Sequence, residues 1–316
     1  MSRVRQGPDG TSGAPAERRV LAATDADEVV ALAQRLVRVP GENPPGEEAA
    51  TSAELLAAAA GLGLPGASTE VVPGRPNATV TLAGGDGPGL LLLGHTDVVP
   101  VGDGWTLDPF GGLVRHGRLY GRGSADTKGA LAAGLLAMAA VRRAGVELSG
   151  PVYLAALADE EQNGIGVRDW IARPHPDLLG CVVTEPTDLR TIIAARGASY
   201  LSLTVTGAAA HSGRPGDGRN AISGAALIIS ELERWHHEHT ADTHPLVGPP
   251  TFNVGLVSGG TGPSIVPAEC RLEIDRRLLP GEDAAHVLER VRARIGPLGL
   301  DARGLTWTLT SPMAMP

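Results

Sequence analysis

Residues 89–128 read GLLLLGHTDVVPVGDGWTLDPFGGLVRHGRLYGRGSADTK, and this stretch predicts the fold. Four consecutive leucines, residues 90–93, follow a Gly/Pro-rich break and are typical of a strand that is buried on both faces of a parallel sheet. His95 and Asp97 come just past the end of this strand. Because ligands bind at the carboxyl ends of the strands in open α/β sheets, this His-x-Asp pair lies where a site would be built.

The spacing of His95 and Asp97 suits an imidazole that binds a metal. Residues two apart on an extended chain face the same way, so Asp97 can accept a hydrogen bond from one ring nitrogen and leave the other for a metal. Asp126 follows in a second glycine-rich turn, at the start of an apolar helix. The alternatives are that His95 and Asp97 are a polar pair at a strand end, and that Asp126 is the N-cap of the helix beginning near Thr127.

Two further predicted strands also end in acidic residues. The strand over residues 152–158 is followed by the acidic segment 159–161, and the strand over residues 178–184 is followed by Glu185. Three successive strands therefore end in His, Glu-Glu and Glu, with the aspartate of the glycine-rich turn between the first two. We interpret these residues as one site, and the alternative for the paired glutamates is a solvated acidic turn.

The composition is that of an ordinary soluble globular protein, with 42% hydrophobic residues, 20% charged residues and a net charge of −8. This charge excludes a basic surface for nucleic acid and a polybasic membrane anchor, and no apolar run is long enough to cross a bilayer. Cys181 and Cys270 lie in apolar, strand-like runs and are predicted to be buried free thiols of a cytoplasmic protein. We therefore expect neither a nucleic-acid partner nor a membrane.

The chain is predicted to divide into a tail and two domains. Residues 1–23 have no apolar core and are predicted to be a disordered tail. Residues 24–190 alternate helices and strands, which predicts an α/β domain with a mixed, largely parallel sheet. Residues 191–305 have a βαββαβ-like order, which predicts a small α+β sandwich, and residues 306–316 are interpreted as a truncated return to the first domain.

Several motifs occur in one order along the chain. They are GHTDVVP at 94–100, GRGSADTKG at 121–129, the Glu160-Glu161 pair, TEP at 184–186 and GAAAHSGRPGDGRNAI at 207–222. Together they resemble the co-catalytic zinc family of aminoacylase, acetylornithine deacetylase, succinyl-diaminopimelate desuccinylase and carboxypeptidase G, over about Asp27 to Pro316. The resemblance implies a metal-binding domain into which a lid and dimerisation domain is inserted, in a homodimer.

The resemblance implies a role for each residue of the predicted metal site. The implied zinc ligands are His95, Asp126, Glu161 and Glu185. Asp126 matches the carboxylate that bridges two zinc ions, for which cobalt can substitute. His95 and Glu185 are the other implied ligands of one ion, and Glu161 is an implied ligand of the second. Glu160 matches the general base, and Asp97 is the residue that orients His95.

The second domain supplies residues that the resemblance places near substrate. His211 matches a lid histidine that donates a hydrogen bond to the oxyanion in the partner's active site, and a turn histidine is the alternative. Arg276 matches the residue that grips a substrate carboxylate, and an ion pair with a neighbouring carboxylate is the alternative. Asn220 and Asn253 match positions that help to position substrate. Histidines 236, 237 and 239 end an amphipathic helix without a metal-binding spacing, which favours a solvated face.

The expected activity is hydrolysis of an N-acyl amino acid or a small peptide that bears a free carboxylate. The family has a late histidine that completes the second metal, whereas no histidine follows His286 in this chain. We therefore expect about one tightly bound zinc per chain, because a catalytic zinc usually has three protein ligands. The alternative is a truncated, weakly active or inactive relative that serves as a remnant or as a binding or dimerisation module.

Overall fold

The computed structural model describes residues 14–241 and 243–315. They form two compact units, which divide between Leu189 and Arg190. The first unit mixes helices with a five-stranded sheet and the second packs helices on a four-stranded sheet. None of the helices in the described ranges combines the length and apolar character that crossing a bilayer requires.

The first unit is built on a mixed sheet. Its helices are α1 (Pro15–Ala22), α2 (Ala26–Val37), α3 (Ala49–Gly61), α4 (Lys128–Arg143) and α5 (Ile165–Ala172). Its strands are β1 (Gly66–Val72), β2 (Arg75–Leu82), β3 (Gly89–His95), β4 (Leu113–Arg115), β5 (Arg118–Tyr120), β6 (Val152–Leu157) and β7 (Leu178–Val183). The sheet has the order β1-β2-β6-β3-β7, with β4 and β5 forming a separate hairpin. Strand β3 runs parallel to both of its neighbours, whereas β1, β2 and β6 pair antiparallel.

The larger core of this unit lies between the sheet and helices α2, α3 and α4. Helix α4 is apolar nearly all round, and its side chains Leu131, Leu135 and Met138 are buried. A smaller cluster, which includes Leu91 and Leu157, covers the opposite face of the sheet. Strand β3 therefore has apolar contacts on both faces, but of its four leucines only Leu91 is buried and the other three are half-buried. Full burial of a leucine contributes about 1.5–3 kcal/mol.

The start of the described chain differs from the prediction of a disordered tail over residues 1–23. Residues 15–22 form helix α1, and residues 1–13 of the predicted tail lie outside the described residues. Pro15 stands in the first turn of the helix, where its missing N–H is not needed, and Glu17 complements the helix dipole there. Contact with α4 adds to these local preferences.

The two cysteines are free, but only Cys270 is buried. The prediction that Cys181 is buried is wrong, because β7 is an edge strand of the first sheet and most of its side chains are exposed. Leu179 and Val182 of the same strand are also largely exposed. An apolar run predicts a strand, but its own sequence does not tell whether that strand lies at the centre or the edge of the sheet.

The second unit has the βαββαβ order that the sequence predicts. Its elements are β8 (Gly197–Thr206), α6 (Ala221–Glu238), β9 (Thr251–Gly259), β10 (Glu269–Leu278), α7 (Ala284–Ile295) and β11 (Thr306–Met315). The strands are antiparallel in the order β11-β8-β10-β9, and α6 and α7 pack on one face of the sheet. The other face carries mainly polar side chains.

The last strand belongs to this second sheet. Strand β11 pairs along β8, with Trp307 opposite Val205 and Leu309 opposite Leu203. Both Trp307 and Leu309 pack into the core beneath the helices. The interpretation of residues 306–316 as a return to the first domain is therefore wrong for the described residues, because the strand pairs with β8 and its apolar side chains pack into the second core.

Candidate metal centre

Three parallel strands bring the predicted site residues to one edge of the first sheet. Strand β3 lies between β6 and β7, and its last residue, His95, stands opposite Leu157 at the end of β6. Because parallel strands end at the same edge, the acidic segment 159–161 after β6 and Glu185 after β7 reach the same place as His95. Asp126 joins them from the turn that precedes α4.

His95 is oriented by contacts on both ring nitrogens. Its Nδ1 lies 3.0 Å from the backbone oxygen of Asp97, which can only accept a hydrogen bond, so Nδ1 carries a proton. Its Nε2 lies 2.9 Å from Asp126 Oδ1 and 3.8 Å from Glu185 Oε1. Nε2 is therefore the nitrogen that a metal would use, after losing its own proton.

Two groups of side chains could hold a metal ion, and both include His95. The groups are His95, Asp126 and Glu185, and His95, Glu160 and Glu161. Within each group the ligand atoms lie within 4.8 Å of one another, and the part of the chain that the structure describes contains no other such group of three. Asp126 does not cap α4, because Thr127 occupies the N-cap position and the Asp126 carboxylate bonds to His95.

Negative charge is concentrated around His95. Burial disfavours a charged imidazole, but the hydrogen bonds to Asp126 and Asp97 outweigh it and raise the pKa of His95 to about 11. Partial burial and the surrounding carboxylates raise the pKa of Glu185 to about 7. The same causes raise the pKa values of the adjacent glutamate pair after β6. Carboxylates that repel one another in this way are stabilised by a cation.

The donor set fits zinc. One imidazole nitrogen and several carboxylate oxygens are ligands that zinc takes in catalytic sites, and the hydrogen bond on Nδ1 of His95 is the usual support for such a ligand. Asp97 also accepts hydrogen bonds from the backbone N–H groups of Glu160, at 3.1 Å, and Glu161, at 3.0 Å. One buried carboxylate thus contacts both the histidine and the acidic turn.

Asn43 is a residue of the site that the sequence patterns do not predict. This buried residue lies in the segment GENPPGEE, which the sequence predicts only as a loop. Its Nδ2 donates to Asp97 Oδ2, at 2.9 Å, and to Asp159 Oδ1, at 2.8 Å. The only local feature of the sequence at this position is an asparagine directly before two prolines, and it does not predict which distant residues the side chain contacts.

Lys128, the only lysine of the chain, is buried at the start of α4. Its ammonium donates to the backbone oxygens of Val39 and Pro40. Burial lowers the pKa of Lys128 to about 8, although Asp97 opposes the shift. These bonds fasten the segment that leads to Asn43 against the helix that follows Asp126.

The structure contradicts the predicted role of Arg276. This side chain is only 1% exposed, lies 4.9 Å above the Phe252 ring and makes two hydrogen bonds of 3.0 Å to Glu282. The alternation of β10 places Arg276 on the same side as Leu272 and Ile274, under the helices. Its guanidinium is therefore occupied by an internal ion pair, and the partner is not a neighbour on its own strand.

The next residue, Arg277, points to the open face of the second sheet. Its side chain is 42% exposed and pairs with Asp275 at 3.0 Å. Asn253 stands opposite Asp275 on β9 and is also exposed. Arg277, Asp275 and Asn253 therefore form a polar group on the face that the helices leave open.

His211 and Asn220 lie on the segment between β8 and α6. His211 is exposed and its Nδ1 accepts a hydrogen bond from the N–H of Gly213 at 3.0 Å, which puts the proton of the neutral ring on Nε2. Asn220 is the N-cap of α6, where its side-chain oxygen accepts from Ser223 N–H at 3.0 Å. Asn220 also lines a cavity of ≈ 500 Å³ together with Ser212.

The histidines at the end of α6 have structural contacts. His236 Nδ1 accepts a hydrogen bond from Phe252 N–H at 3.5 Å, and His239 contacts Trp235 and Arg290. Neither histidine belongs to a group of potential metal ligands among the described residues. The contacts at the end of this helix are thus made within the second unit.

Both units of the chain have similar counterparts among known proteins. Residues 193–302 match the family model described as the peptidase dimerisation domain, M20_dimer. Over 247 residues the chain is 35% identical to acetylornithine deacetylase from Pasteurella multocida (strain Pm70), an alignment of 74% of this chain with 63% of that protein. The chain carries an M20 peptidase dimerisation domain. An acetylornithine deacetylase from Proteus mirabilis (strain HI4320) is 36% identical, over 72% of this chain and 62% of that protein. The chain thus spans about three-fifths of the length of these two curated relatives.

Solved structures show the M20 fold. Human carnosine dipeptidase 1 matches with a TM-score of 0.74 at 18% identity, over 96% of this chain and 81% of that one. The M20 family metallo-carboxypeptidase from Sulfolobus solfataricus matches with a TM-score of 0.72 at 21% identity, over 92% and 78%. The predicted fold class, an α/β domain with a mixed, largely parallel sheet plus an α+β domain, is confirmed.

Proposed function

We propose that this chain carries the centre of a metal-dependent hydrolase that cleaves the amide bond of an N-acyl amino acid or small peptide. The observation that carries the proposal is the convergence of His95, Asp126, Glu161 and Glu185 at one sheet edge, with Glu160 beside them. The similarity to proteins named acetylornithine deacetylase supports it. A mere binding or dimerisation module would not need this intact set of ligands.

Zinc is the proposed metal, and cobalt is the proposed substitute. When bound, such an ion polarises the scissile carbonyl and acidifies a coordinated water. His95, Asp126 and Glu185 would hold one ion, and Asp126 and Glu161 would contribute to a second. Asp97 would keep the proton on Nδ1 of His95, so that Nε2 faces the metal.

Glu160 is the proposed general base. Its backbone N–H donates to Asp97, which holds the Glu160 backbone in place, and a carboxylate oxygen of Glu160 lies within 4.8 Å of a ring nitrogen of His95. A carboxylate oxygen of Glu160 would accept a proton from the attacking water and return it to the leaving amine. Adjacent glutamates would thereby divide the work, with Glu160 moving protons and Glu161 binding metal.

Arg277 is proposed to grip the substrate carboxylate in place of Arg276. It is an exposed guanidinium on the open face of the second sheet, with Asn253 near it, whereas Arg276 is buried against Glu282. A planar guanidinium makes two parallel hydrogen bonds to a carboxylate. This recognition would favour N-acyl amino acids and peptides with a free carboxyl group, and acetylornithine and succinyl-diaminopimelate are the first substrates to test.

Changing Arg277 to methionine is expected to raise KM for an N-acetyl amino acid by roughly 10–100-fold with little change in kcat, because a hydrogen bond to a charged group contributes about 1.5–3 kcal/mol. Steady-state kinetics with the free acid and the matching carboxamide test this result. The variant should lose the preference for the free acid. Arg271→Met is the matched control, since Arg271 is exposed on the same strand and face. An unchanged preference in Arg277→Met would contradict the role.

The proposed partner is a second copy of this chain. Strand β9 is an edge of the second sheet, and its side chains Leu256 and Val257 are 69% and 61% exposed. An unpaired edge with exposed apolar side chains is suited to pairing with another chain, and the match to a peptidase dimerisation domain supports this partner. In such a dimer, Nε2 of His211 is proposed to donate a hydrogen bond to the oxyanion in the partner's site.

Val257→Lys is expected to convert the dimer into a monomer, because a charge in the middle of the contact would lose its water on association. Size-exclusion chromatography with light scattering measures the mass directly. Leu246→Lys is the control, since Leu246 is equally exposed, at 61%, but lies outside the sheet. A Val257→Lys protein that stays dimeric would rule out the β9 edge as the interface.

We also propose a cytoplasmic location. Cys181 is exposed and free, and Cys270 is free and buried. Exposed thiols persist where the redox environment is reducing, which supports the cytoplasm. Fractionation of cells that produce the protein would test the location.

A further inference from the structure

A buried polar network lies beneath the candidate metal centre. Its members are Asn43, Glu48, Arg75, Asp97 and Asp159. All are buried except the Arg75 side chain, which is 16% exposed. A charged group is costly to bury unless it is paired and hydrogen-bonded, so such a cluster persists only where each member has partners.

Hydrogen bonds join the five residues into a chain that ends at the site. Asn43 Nδ2 bridges Asp97 and Asp159, at 2.9 Å and 2.8 Å. Arg75 donates to Asp159 Oδ1 at 2.9 Å, and its Nε donates to Glu48 Oε2 at 3.0 Å. Asp97, at the far end, contacts His95 and accepts from the backbone of the acidic turn.

Asp159 shapes the turn that carries the paired glutamates. Its backbone has φ of 65°, in the left-handed region that a non-glycine residue adopts at a cost. Its Oδ2 accepts hydrogen bonds from the N–H groups of Asn163, at 3.2 Å, and Ile165, at 3.3 Å, and its own N–H donates to Glu48 Oε1 at 3.2 Å. The conformation of the turn is thus held by contacts of Asp159 with the network.

The charges of the network require both Asn43 and Arg75. Two of the buried carboxylates, Glu48 and Asp159, accept hydrogen bonds from the Arg75 guanidinium, which raises the pKa of Arg75, and Asn43 joins the third, Asp97, to Asp159. Removing Arg75 would leave two unpaired buried carboxylates next to each other. Removing the Asn43 amide would leave Asp97 and Asp159 facing each other without a donor between them.

We propose that Asn43 and Arg75 are positioning residues of the metal centre. They hold the Asp97 carboxylate and the Asp159 turn in one arrangement, and through them the ligand His95 and the Glu160-Glu161 pair. The inference rests on the proposed function, since it takes His95 to be a metal ligand. It adds a layer of residues that touch neither metal nor substrate.

The test compares two buried asparagines. Asn43→Leu removes both donated bonds and keeps the branching and heavy-atom count of the side chain. Asn77→Leu makes the same change and removes the bonds of Asn77 to Gly166 and Ala158, which involve neither Asp97 nor Asp159. Zinc affinity is measured by competition with a chelator, and the absorption spectrum of bound Co²⁺ reports the ligand geometry. Asn43→Leu is expected to weaken zinc binding by about 10–100-fold and to shift the cobalt spectrum, as loss of a support for a ligand does.

A second set of variants approaches the network from its exposed end and serves if Asn43→Leu does not fold. Arg75→Met is expected to weaken zinc binding about 10-fold, Arg75→Lys to retain most of the affinity, and Glu48→Gln to restore part of it in the Arg75→Met protein, because one unpaired carboxylate is then removed. The difference in zinc affinity between Asn43→Leu and Asn77→Leu should remain even if both substitutions lower the midpoint of thermal unfolding equally.

Equal weakening of zinc binding by Asn43→Leu and Asn77→Leu would overturn the proposal, since the effect would then be general loosening. The same holds if Glu48→Gln does not restore affinity in the Arg75→Met protein. If instead His95→Ala bound zinc as tightly as the unsubstituted chain, the proposed function itself would fail. The two failures are thus told apart by the His95 variant.

Discussion

Glu160→Gln is expected to retain the metal content of the protein and to lose turnover by about 10²–10⁴-fold, the usual contribution of a general base. The substitution keeps the size of the side chain and leaves the backbone N–H of Glu160 on Asp97. The acidic turn should therefore keep its conformation. Only the ability to accept a proton is removed.

The structure makes this a sharp test, because the Glu160 carboxylate lies close enough to His95 and Glu161 to act as a ligand itself. Glu161→Gln is the matched variant, since it changes the adjacent residue of the same turn in the same way. We expect Glu161→Gln to lower metal content together with turnover. Elemental analysis of both proteins beside single-turnover kinetics separates the roles, and equal loss of metal from the two variants would make Glu160 a ligand.

The second large effect is expected for His95→Ala, which should abolish tight zinc binding. His95 belongs to both groups of potential ligands. Without its imidazole, the carboxylates that surround it would lose the group that they contact and the metal would lose its only nitrogen ligand from these groups. The loss should exceed the roughly 10–100-fold that removal of a supporting residue causes. Asp126→Ala should also lose metal, because its Oδ1 lies 2.9 Å from His95 Nε2.

Thermal unfolding with and without zinc measures the same effect independently. A ligand that binds only the folded chain raises the midpoint of unfolding, so zinc should stabilise the unsubstituted protein and leave His95→Ala unchanged. His175→Ala is the control, since His175 is an exposed histidine of the same unit that is outside the ligand groups. A zinc-dependent rise in the midpoint of His95→Ala as large as that of the control would refute the site.

Local patterns in the sequence were enough to predict the elements that carry the site. The leucine run of β3, the apolar helix α4 and the strands β6 and β7 are all present. His95, Asp126 and Glu185 could be named as candidates because they lie at strand ends or just before a helix, and these positions are set by nearby residues. Parallel strands then bring such ends to one edge whatever their order in the sheet.

Strand order and the exposure of an edge strand were decided only in the tertiary structure. The apolar alternation of β10 already places Arg276 on the core face, but only the structure shows that Glu282 is its partner there. The alternation of β11 does not tell which sheet the strand joins, and its pairing with β8 decides it.

The network beneath the metal centre shows most clearly what the linear sequence could not determine. Asn43 reaches Asp97 and Asp159 across 54 and 116 residues of chain, and no local pattern links positions so far apart. The sequence by itself determined which residue types stand at the ends of strands. Only the packed structure decided which buried carboxylates needed a donor and which side chain supplied it, because hydrogen bonds between distant residues form only after the sheet has brought them together.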